Sequence, residues 1–166
     1  ADASQSGVGA ANGSVVLTSG GALSVTQAIG LTGTGTVGNL LLQGADTGVT
    51  VSAGVSTAGG SVSVVAGAGD VTLAATGDIT VAGSGTVDVQ ASTGAVVMQI
   101  NGADESVIQT NAGNVRVSAA TAGKNVTLGM VDTRSAADRA GSTLTGQASW
   151  GLVSVVSGGS VLDADA

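Results

Sequence analysis

The sequence predicts an all-β protein with a parallel β-helix, or β-solenoid, in which each turn of the coil contains three short strands. The first observation is a short apolar–polar–apolar strand that recurs between glycine-containing turns within residues 60–98. Successive strands lie 9, 8, 8 and 9 residues apart and begin at Val62, Val71, Ile79, Val87 and Val96. That spacing accommodates a strand and a turn but no intervening helix.

A second observation is a longer repeat that contains three of these strands. Residues 60–73 and 85–98 start 25 residues apart and are identical at six of fourteen positions. One such unit has an apolar face that it cannot bury alone, so neighbouring units must stack around a shared core. The composition agrees, because 29 glycines and a single aromatic residue, Trp150, suit a narrow interior filled by small aliphatic side chains.

Strands of the same kind extend the register in both directions. Two sets of three strands precede the central repeat at intervals of 22 to 26 residues, and they begin at Val15, Leu23, Ile29, Leu40, Val49 and Val55. Downstream, Val107 follows Ile79, and Val115 follows Val87, by 28 residues, because a polar corner at residues 101–105 lengthens the turn. We therefore predict further turns on both sides of the central repeat.

Residues 132–149 interrupt the repeat and are predicted to form a loop or short helical insertion. Thr133 or Ser135 is expected to cap the start of a helical turn and Gly141 its end. Strands resume within residues 150–162. The prediction is a single solenoid domain over residues 1–166 with five to six turns, cut from a longer repetitive chain and open at both ends.

Alternation along the strands divides the side chains between the core and the surface. Asp88 and Arg116 occupy equivalent outward positions in adjacent turns and are predicted to face each other. The predicted inward positions are Val62, Val64, Val71, Leu73, Ile79, Val81, Val87, Val89, Val96, Met98, Val115, Val117, Val126 and Leu128.

Charge and hydropathy exclude two classes of partner. The net charge is −7, and the four basic residues form no stripe that would neutralise phosphates, so nucleic acid is not an expected partner. No apolar run approaches the roughly 18 residues of a membrane-spanning helix, so membrane insertion is not expected either. Because the chain contains no cysteine, its sequence indicates neither an oxidising nor a reducing compartment.

Three short units resemble a known family of repeats. The sequences Gly-Asp-Val-Thr-Leu at Gly69, Gly-Asp-Ile-Thr-Val at Gly77 and Gly-Asn-Val-Arg-Val at Gly113 are similar to the degenerate repeats of filamentous-haemagglutinin-like surface proteins of Gram-negative bacteria. The resemblance covers roughly residues 13–131 and 150–162. It implies a right-handed parallel β-helix that is secreted to the cell surface or extracellular space as a fibre or adhesin stalk.

Two motifs resemble ligand-binding sequences, one for a dinucleotide and one for calcium, but the residues around them do not fit either site. Residues 33–38 satisfy the G-x-G-x-x-G dinucleotide fingerprint, but the next residues predict a strand where that fingerprint requires a helix. The Gly-Asp pairs at Asp70 and Asp78 are fragments of a calcium-binding repeat, and an aspartate that bonds the backbone of its own turn is the favoured interpretation. We expect neither a cofactor nor a metal.

The one charged cluster lies in the insertion and contains four candidate surface-binding residues, Asp132, Arg134, Asp138 and Arg139. These side chains offer a site for a sugar acid or an acid–base pair. The alternative is a solvated loop whose charges pair locally, with Ala136, Ala137 and Trp150 holding it on the coil. Because the chain contains no histidine and no cysteine, we expect no catalytic residue and no enzyme activity.

Three functions therefore remain open at this point. The first is a structural rod, fibre or stalk segment whose partners are neighbouring coils or copies of the same protein, with a surface receptor or glycan as a further candidate. The second is a carbohydrate-active or carbohydrate-binding β-helix. The third is an ice- or surface-binding solenoid, suggested by Thr50, Thr72 and Thr127 in one outward file that Val97 interrupts.

Overall fold

The computed structural model describes residues 8–34, 37–141 and 149–165. Within these ranges the chain forms short strands and one helical turn, α1 (Ala136–Ala140). The strands are β1 (Val8–Ala11), β2 (Val15–Ser19), β3 (Leu23–Val25), β4 (Ile29–Thr32), β5 (Leu40–Gly44), β6 (Val49–Val51), β7 (Val55–Thr57), β8 (Val62–Ala66), β9 (Val71–Leu73), β10 (Ile79–Val81), β11 (Val87–Ala91), β12 (Val96–Met98), β13 (Ile100–Asn101), β14 (Asp104–Glu105), β15 (Val107–Gln109), β16 (Val115–Ala119), β17 (Val126–Leu128), β18 (Met130–Asp132), β19 (Val153–Ser157) and β20 (Val161–Asp163).

Eighteen of these strands form three parallel sheets of six strands each. Sheet A has the order β1-β4-β7-β10-β15-β18, sheet B the order β2-β5-β8-β11-β16-β19, and sheet C the order β3-β6-β9-β12-β17-β20. The chain visits the sheets in turn, so each passage through three strands completes one coil. Five complete coils run from β2 to β18, with β1 before them and β19 and β20 after them. The predicted β-solenoid is confirmed.

The core is a continuous apolar column between the three sheets. Thirteen of the fourteen predicted inward side chains are buried, and most of them have no accessible surface. The exception is Leu128, which is only half-buried because Asp163 is its partner in the last coil. An aspartate cannot extend the apolar file, so the core ends there.

The predicted register holds in sheets B and C but is wrong by one residue at one point in sheet A. The pattern aligned Val107 with Ile79, whereas the structure pairs Ile108 with Ile79. The polar corner contains a small antiparallel hairpin of β13 and β14, and with it this turn contains one residue more than predicted. Because a shift by one residue exchanges the two faces of a strand, Ile108 is buried and Val107 is only half-buried.

Besides the hairpin strands β13 and β14, two strands of the solenoid itself were not predicted from the sequence. The first, β1, reads Val-Gly-Ala-Ala and pairs with β4; glycine and alanine have low strand propensity. The second, β18, pairs with β15 and ends at Asp132, which the sequence pattern placed in the insertion. Both strands belong to sheet A and are formed because the neighbouring strand supplies the hydrogen-bonding partner.

A column of glycines forms the corner between sheets A and B. A side chain at Gly85 would place its Cβ atom 2.5 Å from the carbonyl oxygen of Gly60 in the coil before, which is too close for any residue but glycine. Similar close approaches to the preceding coil occur along the column, which consists of Gly38, Gly60, Gly85, Gly113 and Gly151. The corner therefore requires glycine because of backbone contact between coils.

The insertion leaves the coil at this same corner. In an ordinary coil the hydroxyl of Thr110 donates to the carbonyl of Gly113, three residues later, at 2.6 Å. In the last coil Thr133 donates to Gly151 at 2.8 Å across 18 residues. The corner bond is thus preserved across the insertion. Residues 142–148 of this loop lie outside the described ranges.

The helical turn in the insertion begins and ends as predicted. Ser135 is the N-cap of α1, since its side chain accepts a hydrogen bond from the Asp138 backbone N–H, and Gly141 is the C-cap. In the described part of the chain, no helix is both long and apolar enough to cross a membrane.

Candidate functional site

The four predicted site residues come together at the corner between sheets A and B. Asp132 ends β18 in an outward position of sheet A, yet it is buried because the insertion folds over it. Arg134 donates from Nε and Nη2 to the two carboxylate oxygens of Asp132 at 3.0 and 2.8 Å, and its backbone N–H donates to the same carboxylate at 2.9 Å. Hydrogen bonding from Arg134 lowers the pKa of Asp132 below its usual value.

The second arginine ties the insertion to the preceding coil. Arg139 lies 4.0 Å from the Asp132 carboxylate. Its Nη1 donates to the carbonyl of Thr110 at 2.7 Å and also to the carbonyl of Arg134. Since Thr110 belongs to the corner of the coil before, this guanidinium fastens the loop to the solenoid.

The second carboxylate is buried in the insertion itself. Asp138 is 3% exposed. One of its oxygens accepts from the Ser135 hydroxyl at 2.9 Å and from the indole N–H of Trp150 at 2.7 Å. The single tryptophan of the chain is therefore held to the helical turn by a hydrogen bond.

This geometry favours the structural interpretation of the cluster. Local charge pairing is confirmed for Asp132 with Arg134 and Arg139, but the expectation of a solvated loop is wrong for both aspartates, which are buried. A general acid or base must reach the proton that it transfers, whereas both oxygens of Asp132 and one oxygen of Asp138 accept bonds from the chain's own donors. An open groove of about 270 Å³ beside the cluster is lined in part by Met130, Arg134 and Trp150.

A second set of polar side chains links successive coils at the corner before sheet B. The side chain in this column accepts a hydrogen bond from the backbone N–H of the next coil: Ser14 from Asn39 at 3.1 Å, Asn39 from Ser61 at 2.8 Å, and Ser61 from Thr86 at 3.0 Å. In the same way, the backbone N–H of Leu152 donates to the side-chain oxygen of Asn114 at 2.8 Å. This ladder was not predicted from the sequence, although a Gly-Ser, Gly-Asn or Gly-Thr pair precedes each long strand of the first five coils.

Asp70 and Asp78 make bonds of the same kind at the other two corners. The carboxylate of Asp70 accepts the backbone N–H of Ala95 at 2.7 Å, and that of Asp78 accepts the N–H of Val107 at 2.9 Å. The interpretation that each aspartate bonds the backbone of its own turn is therefore wrong, because each bonds the following coil. In the described residues no three histidine, cysteine or acidic side chains group together as metal ligands do.

The outward threonines lie as the sequence predicted. Thr50 pairs with Thr72, and Val97 separates Thr72 from Thr127 in the same file of sheet C. Each strand of sheet C has three residues and only one outward position, so this face offers one file and not the two that an ice lattice would need. The dinucleotide-like motif includes residues 35–36, which lie outside the described ranges, and β5 follows it where a helix would be required.

A second groove, of about 370 Å³, lies on the outer face of sheet B. Asp88 and Arg116 line it together with Leu152 and Ser154. Its two charged side chains bind each other, with the Arg116 guanidinium donating to both carboxylate oxygens of Asp88. The groove thus contains a satisfied ion pair and one exposed apolar side chain.

The fold and these corner bonds together define the class of protein. It is a parallel β-solenoid in which side chains at the corners accept hydrogen bonds from the backbone of the next coil. The sequence matches no protein-family model, and it has no match among curated proteins or among solved structures.

Proposed function

We propose that the chain is a structural segment of a large secreted surface protein, in which it forms part of a rod, fibre or adhesin stalk and performs no catalysis. The observation that carries this proposal is the use of its polar corner residues. Asn39, Asp70, Asp78, Asn114 and Asn125 each accept a backbone N–H from the following coil.

Bonds of this kind join each coil to the next along the rod axis, as a mechanical rod requires. Backbone hydrogen bonds run along the rod axis in all three sheets, and the ladders add a side-chain bond at the corners between coils. A stack of this kind adds stability with each neighbouring pair of repeats. The paired state of the insertion cluster supports the same proposal, because its carboxylates hold the loop in place.

The resemblance of the Gly-Asp-Val-Thr-Leu type units to filamentous-haemagglutinin-like repeats supports a position outside the cell. The composition is compatible with that location, since a chain without cysteine folds without disulfides in an oxidising environment. We propose the cell surface or the extracellular space as the site of action.

Antibodies raised against the folded chain test this proposal on intact cells that produce the parent protein. Immunogold labelling of surface filaments without permeabilisation is the expected result. An antibody against a cytoplasmic protein serves as the control for cell integrity. Labelling that requires permeabilisation would exclude a surface rod.

A second candidate function, carbohydrate binding, is favoured by the groove beside the insertion cluster. Trp150 and Arg134 line this groove, and an aromatic ring beside a guanidinium is a suitable surface for an acidic sugar. Because Trp150 is the only tryptophan, its fluorescence reports binding directly. Titration with oligogalacturonate should shift the emission if this candidate is correct, and Arg134→Gln should weaken the response. An unchanged emission up to millimolar ligand would exclude it.

A further inference from the structure

We propose that Asn101 is a site of spontaneous covalent modification, at which the backbone nitrogen of Gly102 attacks the side-chain amide and converts the asparagine to aspartate or isoaspartate. The site is the tip of the hairpin formed by β13 and β14, in the polar corner that lengthens the fourth coil. The rod function makes no use of this hairpin, and the inference does not depend on that function.

The sequence Asn-Gly allows this reaction because glycine has no Cβ atom to obstruct the approach of its own nitrogen. The Gly102 nitrogen forms a bond to Cγ of Asn101, the bond from Cγ to Nδ2 breaks, and the side-chain nitrogen leaves as ammonia with the proton released from Gly102. Water then opens the resulting five-membered imide at either carbonyl carbon, which gives aspartate or isoaspartate. Water is the sole co-reactant, and nothing is oxidised or reduced.

The hairpin leaves this pair of residues free to react. Asn101 and Gly102 are both exposed. Apart from the chain neighbours of Gly102, no atom of the described residues lies within 4 Å of the position where a side chain at Gly102 would begin. Gly102 also lies in the loop beyond the last paired position of the hairpin, where Asn101 is opposite Asp104. The backbone at Gly102 can therefore rotate towards the amide while the three long sheets stay intact.

The chain contains a second Asn-Gly pair, Asn12 with Gly13, which the structure holds in place. A side chain at Gly38, in the next coil, would place its Cβ atom 2.1 Å from the carbonyl carbon of Gly13, so the two backbones are in contact. On either side of Gly13, the Asn12 N–H donates to the carbonyl of Thr32 at 3.0 Å, and the side chain of Ser14 accepts from the next coil. Rotation at Gly13 would disturb these contacts, so two pairs of the same sequence differ in their freedom to react.

The modification changes the charge and the pairing of the hairpin. It adds a carboxylate directly opposite Asp104, and like charges in directly opposite positions destabilise an antiparallel pair. An isoaspartate also lengthens the backbone by one carbon atom. The effect stays local, because the Ser106 N–H donates to the Gln99 carbonyl at 2.9 Å and closes the hairpin where it leaves the coil. The expected product is a loosened hairpin on an intact solenoid.

Peptide mapping by mass spectrometry tests the site in the whole folded chain. The chain is incubated at mildly alkaline pH, and the peptides that contain Asn101 and Asn12 are compared over time. We expect the mass gain of an amide-to-acid exchange, with isoaspartate among the products, to appear at least about tenfold faster at Asn101, because Asn12 reacts only when the first coil opens locally. In urea the two pairs should react at similar rates. An unmodified Asn101, or equal rates for the two pairs in the folded chain, would overturn the inference.

Two variants at the same position complete the test. Asn101→Gln keeps an amide but requires a six-membered ring, which closes more slowly, so its peptide should show no mass gain over the same period. The same gain in Asn101→Gln would place the modification at another residue and overturn the inference. Asn101→Asp adds the charge directly, and the backbone amides of β13 and β14 should then exchange with solvent up to about fivefold faster, with β11 and β12 unchanged. Faster exchange in β11 and β12 as well would contradict a local effect.

Discussion

Arg116 lies one coil beyond Asp88 in the same outward file of sheet B, and its Nε and Nη2 atoms donate to the two carboxylate oxygens of Asp88 at 2.8 and 2.6 Å. The sequence predicted this juxtaposition from a 28-residue turn. The pair is a sensitive indicator of register, since a shift of one residue would turn one partner towards the core. It raises the pKa of Arg116, chiefly through the hydrogen bonds to Asp88.

A double-mutant cycle on this pair should give a small favourable coupling. Both side chains are partly open to solvent, at 51% for Arg116 and 32% for Asp88, so the expected coupling is about 0.2–1 kcal/mol. Urea unfolding of Asp88→Ala, Arg116→Ala and the double variant measures it. The coupling should decrease in 1 M salt. A coupling of zero at low salt would show that the pair does not form in solution.

Val71→Asp should be strongly destabilising. Val71 has no accessible surface, so the substitution buries an unpaired charge in the middle of the core at a cost of several kcal/mol. Thr72→Asp is the matched control, because the neighbouring side chain points outwards, and surface changes are usually within about 0.5 kcal/mol. Equal melting temperatures for the two variants would contradict the assignment of inward and outward faces.

Two buried hydroxyls should respond in opposite ways to removal. The Ser106 hydroxyl is buried and has no hydrogen-bond partner among the described residues, so Ser106→Ala should leave stability unchanged or raise it by up to about 1 kcal/mol. Thr110→Val removes the donor to the Gly113 carbonyl and should cost about 1–3 kcal/mol. Chemical denaturation compares them. A loss in Ser106→Ala as large as that in Thr110→Val would mean that Ser106 has a partner after all.

Acid should weaken the attachment of the insertion. The pKa of Asp132 is lowered in the folded chain, so its ion pair contributes stability above the unfolded pKa of about 3.9, and this contribution is lost as the pH falls through the folded value. The unfolding free energies of the parent chain and of Asp132→Asn should therefore converge below about pH 4. Arg134→Gln should show the same convergence. Parallel curves down to pH 2 would contradict the assigned ion pair.

The strand pattern predicted most of the fold because inward and outward residues alternate without interruption in the central coils. Val62 to Met98 could be assigned residue by residue, since valine, leucine and isoleucine alternate there with serine, threonine and aspartate. The prediction was wrong where a corner contained one residue more than the repeat indicated. At Val107 a hairpin changed the turn by one residue, and no local signal distinguishes Val107 from Ile108 as the inward residue.

The sequence predicted which residues form the candidate site but not that its two aspartates are buried. The sequence placed Asp132, Arg134, Asp138 and Arg139 in one loop, and in the structure Asp132 pairs with both arginines while Asp138 bonds Ser135 and Trp150. The burial of Asp132 depends on a contact between Arg139 and Thr110, 29 residues apart, which spacing alone does not reveal. The corner ladder was missed for a different reason: its signal is a two-residue pair such as Gly38 with Asn39, and in a glycine-rich chain that pair looks like an ordinary turn.

Pulsed electron–electron double resonance tests the stacked-coil architecture most directly, because the proposed function depends on it. Spin labels on cysteines at Ser24 and Thr127, and at Ser24 and Leu162, lie in one outward file of sheet C, four and five coils apart. At roughly 4.8 Å per coil, the backbone separations should be about 19 and 24 Å. Dilution with unlabelled chain removes contributions from neighbouring copies. Two narrow distributions that differ by about 5 Å are predicted, whereas broad distributions, or a difference unrelated to one coil, would contradict the solenoid.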